Sequence, residues 1–109
     1  EYSPESEKLD ALRRFRARQT LRIALLDLER QTWRDEKEFG EVVRGISDLA
    51  QVCVEEALRV LGGENEPFCV LGMGKLGARE LNYSSDLDLI FLHDGETQEM
   101  LTLGEKLFK

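Results

Sequence analysis

Two aspartates one residue apart, Asp86 and Asp88, interrupt an otherwise apolar run that begins Asp86–Leu87–Asp88–Leu89. On an extended strand side chains alternate between faces, so both carboxylates project from one side with Cα atoms roughly 6.7 Å apart. Two like charges placed together in a folded interior are costly unless a cation offsets them. Mg²⁺ suits such a pair, because it takes hard oxygen ligands and bridges phosphate oxygens, which eases attack at phosphorus. Upstream, Gly72–Met73–Gly74–Lys75–Leu76–Gly77 closes a short apolar run. A glycine turn there lets backbone N–H groups approach phosphate, with Lys75 as a point charge. A lone D-x-D is more often an exposed strand face than a metal site. The glycine turn before it, and Leu87, Leu89 and Phe91 on the opposite strand face, shift the balance toward metal-assisted nucleotidyl transfer.

The same glycines fit G-x-G-x-x-G, the dinucleotide fingerprint, and Asp94 lies about twenty residues on, as that motif asks. A dinucleotide-binding Rossmann half is therefore the competing reading. It requires a second strand that is parallel, covered on both faces and nearly all apolar; a strand opening Asp-Leu-Asp-Leu is not. Eight residues separate Gly77 from Asp86, several of them polar (Asn82, Tyr83, Ser84, Ser85). A parallel crossover ordinarily takes a dozen or more.

The elements that must position these groups can be read from periodicity. From about Ser6 to Trp33 there is no Gly or Pro, and Leu9, Leu12, Ile23, Leu26 and Trp33 recur at helical steps, widened by Phe15, Leu21, Leu25 and Leu28. Ser3–Pro4–Glu5–Ser6 supplies capping and first-turn residues. After the polar break 34–37, a second helix runs from about Glu36 to Leu61 on Phe39, Val42, Val43, Ile46, Leu49, Ala50, Cys53, Ala57 and Leu58. Gly62–Gly63 stops it, and residues 64–67 form a loop. Two long helices on a short connection pair antiparallel. Phe68–Leu71 then reads as a buried strand, Gly72–Gly77 as a turn, Ala78–Leu81 as a turn or two of helix, Asp86–Leu92 as a second strand, and about Thr97 to Phe108 as a third helix. The expected class is α+β, with a helical pair over 1–63 and a nucleotide-handling core beginning at 64–109. Two strands make a poor sheet alone, so the chain reads as one section of a longer protein.

Composition sets the outer limits. A chain of 109 residues, 41% hydrophobic and 34% charged, holds one modest core. A net charge of −7 argues against general nucleic-acid binding. No apolar run approaches membrane-spanning length and the N-terminus is too polar for a secretory signal. Cys53 and Cys69, without CxxC spacing, read as reduced core residues of a cytoplasmic protein. His93, the single histidine, has no partner set for nucleophilic or zinc chemistry. Arginines crowd 13–22, and Arg14, Arg18 and Arg22 share one helix face; that face is either solvated and paired with nearby acids or a docking surface for phosphate or an acidic partner. Trp33 and Phe39 read as core plugs near the helix–helix bend.

The segment Leu71 to Phe91, LGMGKLGARELNYSSDLDLIF, closely resembles the nucleotidyltransferase signature of bacterial glutamine synthetase adenylyltransferase/deadenylylase. The motif, in essence GKLG-x-x-EL-x-x-SSD-x-DL, is long enough that chance matches are few. The segments LRRFRARQTLRIALLDL and ISDLAQVCVEEAL resemble the helices preceding it in that family, so the likeness covers most of the chain.

The resemblance implies a DNA-polymerase-beta-like nucleotidyltransferase fold. It also implies a Mg²⁺-dependent enzyme of nitrogen metabolism that attaches AMP from ATP to a tyrosine of glutamine synthetase in one domain and removes it by phosphorolysis, yielding ADP from phosphate, in a homologous one. Carried over by position, Asp86 and Asp88 are the metal-binding, catalytic carboxylates. Gly74 and Lys75 stand where the wider superfamily usually has Gly-Ser, so phosphate contact falls to backbone N–H groups, with Ser84 or Ser85 as hydroxyl donors. Gly77 and Glu80 match the motif, Glu80 without a clear chemical role beyond pairing with Arg79 or a backbone N–H. The implied partners are glutamine synthetase and a PII-type signalling protein. Gly72–Met73 and Asn82 lean toward the deadenylylating domain. The superfamily's third carboxylate comes from a later strand. Asp94 sits roughly 20 Å beyond Asp88 along a strand, too far to share a metal, and Glu96, Glu99 and Glu105 fare no better. The isolated piece is accordingly expected to be inactive, and an interaction or regulatory module with a degenerate site is the alternative.

Overall fold

The computed structural model describes residues 3–62, 67–95 and 98. Helix α1, Pro4–Arg30, starts where Ser3 Oγ accepts the Ser6 N–H at 3.1 Å, with Pro4 in the first turn, where its missing N–H is not needed. It ends because Gln31 turns left-handed (φ 51°) and returns its N–H to the Asp27 carbonyl. The predicted helix ran on to Trp33; instead Thr32–Arg34 form a 3₁₀ turn. Asp35 then caps α2, Glu36–Val60, its Oδ1 accepting the Glu38 N–H at 3.0 Å, within one residue of the expected bounds. Leu9, Leu12 and Arg16 share a cavity with Cys53, Val54 and Ala57, whereas Ile23, Leu26 and Arg30 share another with Glu38, Val42 and Gly45. The helices are therefore antiparallel, as expected.

Strand β1, Phe68–Met73, is two residues longer than predicted, and β2, Asp88–His93, begins two residues later. They pair antiparallel, with Phe68 opposite His93, Leu71 opposite Ile90 and Met73 opposite Asp88. The glycine-motif turn is itself partly helical: Gly74–Gly77 form a single helical turn, α3. The helix expected over Ala78–Leu81 is absent, because Arg79 adopts φ 59° and ends the turn. Among the described residues the architecture is α+β, a helical hairpin beside a two-stranded antiparallel sheet. The helix expected from about Thr97 to Phe108, Glu96, Glu99 and Glu105 lie outside the described residues, Gln98 apart.

The inner sheet face, with Phe68, Val70, Leu89 and Phe91 half-buried, turns toward the helices, and Phe68 and Phe91 meet with ring centroids 5.4 Å apart. Cys69, Leu71, Met73, Ile90 and Leu92 lie on the outer face and are exposed. Cys69 is thus no core residue, since strand parity places it with the outward set. Cys53 is half-buried, and desolvation raises its thiol pKa against the opposing pull of Arg16. Trp33 and Phe39 are also exposed rather than core plugs, because they flank the connection between the two helices, where no third element covers them among the described residues. Between the hairpin and the sheet lies a cavity of about 310 Å³.

Candidate functional site

The carboxylates sit at the end of a loop, 78–87, that the helices hold in place. Its anchor is Leu81, 2% exposed, whose N–H donates to Ser47 Oγ at 3.1 Å; Ser47, 1% exposed, donates in turn to the Val43 carbonyl at 3.0 Å. A serine in mid-helix normally returns its hydroxyl to its own helix; here the same oxygen also satisfies a buried amide of the loop. Arg79 forms an ion pair with Asp48 and donates to Gln51 Oε1 at 2.9 Å. Glu80 is exposed, so the expected pairing of Arg79 with Glu80 is replaced by one with α2. Further on, Tyr83 donates its hydroxyl to Asp27 Oδ2 at 2.9 Å, and Thr32 donates to the other Asp27 oxygen. Partial burial, then the bond to the Asp27 carboxylate and its negative charge, push the Tyr83 phenol up to about 12.

Asn82 organises the approach to the aspartates. Its Oδ1 accepts from Ser84 N at 3.0 Å and Ser84 Oγ at 3.1 Å, while its own N–H donates to Ser85 Oγ at 3.0 Å. Both serines, expected as phosphate donors, thus shape a turn: the Ser84 hydroxyl donates within it, whereas the Ser85 oxygen accepts and leaves its own proton available to donate. Ser85 also lines the inner cavity, together with Leu87 and Leu89. Asp86 and Asp88 alternate with these residues and take no part in that lining. Both are exposed, and neither side chain has a hydrogen bond or ion pair among the described residues.

Asp88 enters the sheet opposite Met73, which brings its side chain against the next residue, Gly74. A Cβ on Gly74 would stand 2.9 Å from Asp88 Oδ2, and the glycine has φ 55°. Gly77 fits more tightly still: its Cβ would lie 2.6 Å from the Gly72 carbonyl oxygen. One on Gly72 would meet Leu76 Cγ at 3.0 Å. The three glycines thus fold a strand end sharply onto one helical turn and place an aspartate beside it. A Rossmann half would need its two strands parallel; these are antiparallel, which removes the dinucleotide reading.

The donor set fits Mg²⁺ in kind. Two unengaged carboxylates meet a cation that is commonly held by one or two carboxylates plus substrate phosphates. No group of three or more His, Cys, Asp or Glu able to hold a metal occurs among the described residues. Lys75 is exposed in α3 beside Gly74. Asp94 lies beyond the opposite end of β2, where its N–H donates to the Pro67 carbonyl at 2.9 Å. His93 is exposed at that same end. Sequence reasoning missed Ser47, Asp27 and Tyr83. A serine within an otherwise apolar helix face (Ile46, Leu49, Ala50) was the available signal for the first; nothing local marked the Tyr83–Asp27 bond.

Comparison with known proteins bears on the whole chain. Residues 1–107 match the family described as Glutamate-ammonia ligase adenylyltransferase. Among curated relatives, a protein of Nitrosococcus oceani is 42% identical over 113 residues, which covers 88% of this chain and 11% of that protein. Relatives in Pseudomonas putida and Pseudomonas aeruginosa are 42% identical over 132 residues, covering 96% of this chain and 13% of each. All three are named Bifunctional glutamine synthetase adenylyltransferase/adenylyl-removing enzyme. The chain thus spans between 11% and 13% of the length of these relatives. No solved structure matches it.

Proposed function

Because the chain belongs to the glutamate-ammonia ligase adenylyltransferase family, we propose that it forms the start of a nucleotidyltransferase core that moves AMP onto, or off, a tyrosine of glutamine synthetase. The observation that carries this reading is the placement of Asp88 against Gly74, at the junction of β1 and α3, with Asp86 one alternation before it. Of the two directions, phosphorolytic removal of AMP is the one we favour, on the resemblance carried by Gly72–Met73 and Asn82.

In this reading Asp86 and Asp88 hold Mg²⁺, which when bound neutralises phosphate charge and polarises the α-phosphorus. The chain's own groups do the positioning. The amides that open α3, at Gly74 and Lys75, belong to a first turn whose N–H groups have no intrahelical acceptor, so they are available to phosphate. Lys75 adds a mobile positive charge. The Asn82 turn fixes the aspartates' approach, while Ser47 and Asp27 tie that turn to the helices. Further carboxylates of such a site belong to the rest of a protein of the relatives' length. A PII-type protein as regulator and a cytoplasmic location follow from the family resemblance; no helix among the described residues is long and apolar enough to cross a membrane.

The test is nucleotide binding by the full-length protein with and without Mg²⁺. Asp86→Asn is expected to abolish the metal-dependent part. Unchanged metal-dependent binding would favour the module with a degenerate site.

A further inference from the structure

Helix α1 is apolar on more than the side it buries. Leu21, Leu25 and Leu28 are 59%, 56% and 63% exposed, on the face opposite the one that meets α2. Beside this stripe run Arg14, Arg18 and Arg22, all exposed, and none of their side chains has a hydrogen bond or ion pair among the described residues. Like charges four residues apart on a helix repel one another and weaken it, and a contiguous exposed apolar stripe marks an interaction surface. One face therefore carries two features that are each unfavourable in water and each relieved by the same kind of neighbour.

We propose that the outer face of α1 is covered by an acidic amphipathic helix from another part of the same polypeptide. The arginines step by about 6 Å per four residues, a spacing that carboxylates at i and i+4 on a helix lying alongside would match, and guanidinium binds carboxylate bidentately. The leucine stripe needs an apolar complement, which phosphate or nucleic acid does not offer. One observation favours an occupant in cis: curated relatives are so much longer that the aligned region is 11% to 13% of their length, which leaves ample chain to supply a helix.

The experiment is cysteine labelling of Leu25→Cys in the full-length protein, with maleimide uptake read by peptide mass against the rate in denaturant. Leu28→Cys reports on the same face if the first variant does not fold. The expected result is labelling at least about tenfold slower than in the unfolded chain, because the site opens only by local unfolding. Adding Arg18→Glu is expected to remove most of that protection. Labelling near the unfolded rate would show an open face and overturn the proposal. So would protection that fades on dilution, which would assign the face to a second copy, or protection that needs added glutamine synthetase. Protection indifferent to Arg18→Glu would overturn the acidic character of the occupant.

Discussion

Ser47 Oγ accepts the Leu81 N–H at 3.1 Å, and the two residues are the most completely buried side chains described. This bond joins the middle of α2 to the loop that carries Asp86 and leads into Asp88 at the start of β2. It shows what the helical pair does for that loop: the hairpin holds the approach to the two carboxylates from behind.

Removing the acceptor should therefore be felt locally. Ser47→Ala leaves the buried Leu81 amide without a partner, which costs about 1–3 kcal/mol. Amide hydrogen exchange at Leu81 in the full-length protein should accelerate accordingly, while amides early in α1 keep their protection.

The glycines predict two different failures. Gly77→Ala forces a Cβ onto the Gly72 carbonyl, a backbone atom that cannot swing away, so it should destabilise the fold by about 1–3 kcal/mol. Gly74→Ala meets only the tip of the Asp88 side chain and a left-handed φ. Its expected signature is displacement of that carboxylate: near-normal expression and solubility, with activity down about tenfold or more, equivalent to a loss of at least about 1.4 kcal/mol of transition-state stabilisation. Assaying both variants for thermal unfolding and turnover separates the two effects.

Tyr83 supplies a pH prediction. Its folded pKa, about 12, lies above the ordinary value of 10.0, with burial as the larger cause and Asp27 as the next. The neutral phenol is the form the fold favours, so its contribution is complete below pH ~10 and disappears as pH rises through ~12. Phenolate absorbance, taken as the difference between the native protein and Tyr83→Phe, should show that residue ionising near 12. Asp27→Asn should bring the midpoint down part of the way, leaving the share due to burial.

Much of the scaffold was legible from residue pattern. Ser3–Pro4 announced the first helix start, the polar break 34–37 marked the second, and the Leu87–Leu89–Phe91 parity correctly separated the inner face of β2 from the aspartates. The departures share one cause, contacts distant in sequence. Cys69, Trp33 and Phe39 look like core by composition, but their burial depends on neighbours that the local pattern does not specify. Ser84 and Ser85 look like phosphate donors, and the pattern does not show that Asn82 also draws them into a turn, Ser84 as donor and Ser85 as acceptor. Arg79 could have closed a local pair with Glu80; it reaches Asp48 instead, thirty-one positions away, because the left-handed turn redirects the chain toward α2. The glycine fingerprint was the most ambiguous signal, since a tight strand-to-helix turn serves phosphates on more than one fold. Only the antiparallel register decided it.

The central claim is that Asp86 and Asp88 carry one of the two adenylyl-group reactions. Its most direct test is Asp88→Asn in the full-length protein, with AMP attachment to glutamine synthetase and phosphorolytic AMP removal measured side by side. The predicted result is loss of removal by at least about a hundredfold, equivalent to roughly 2.7 kcal/mol of transition-state stabilisation, with attachment unchanged. Both reactions proceeding at the unsubstituted rate would contradict the account.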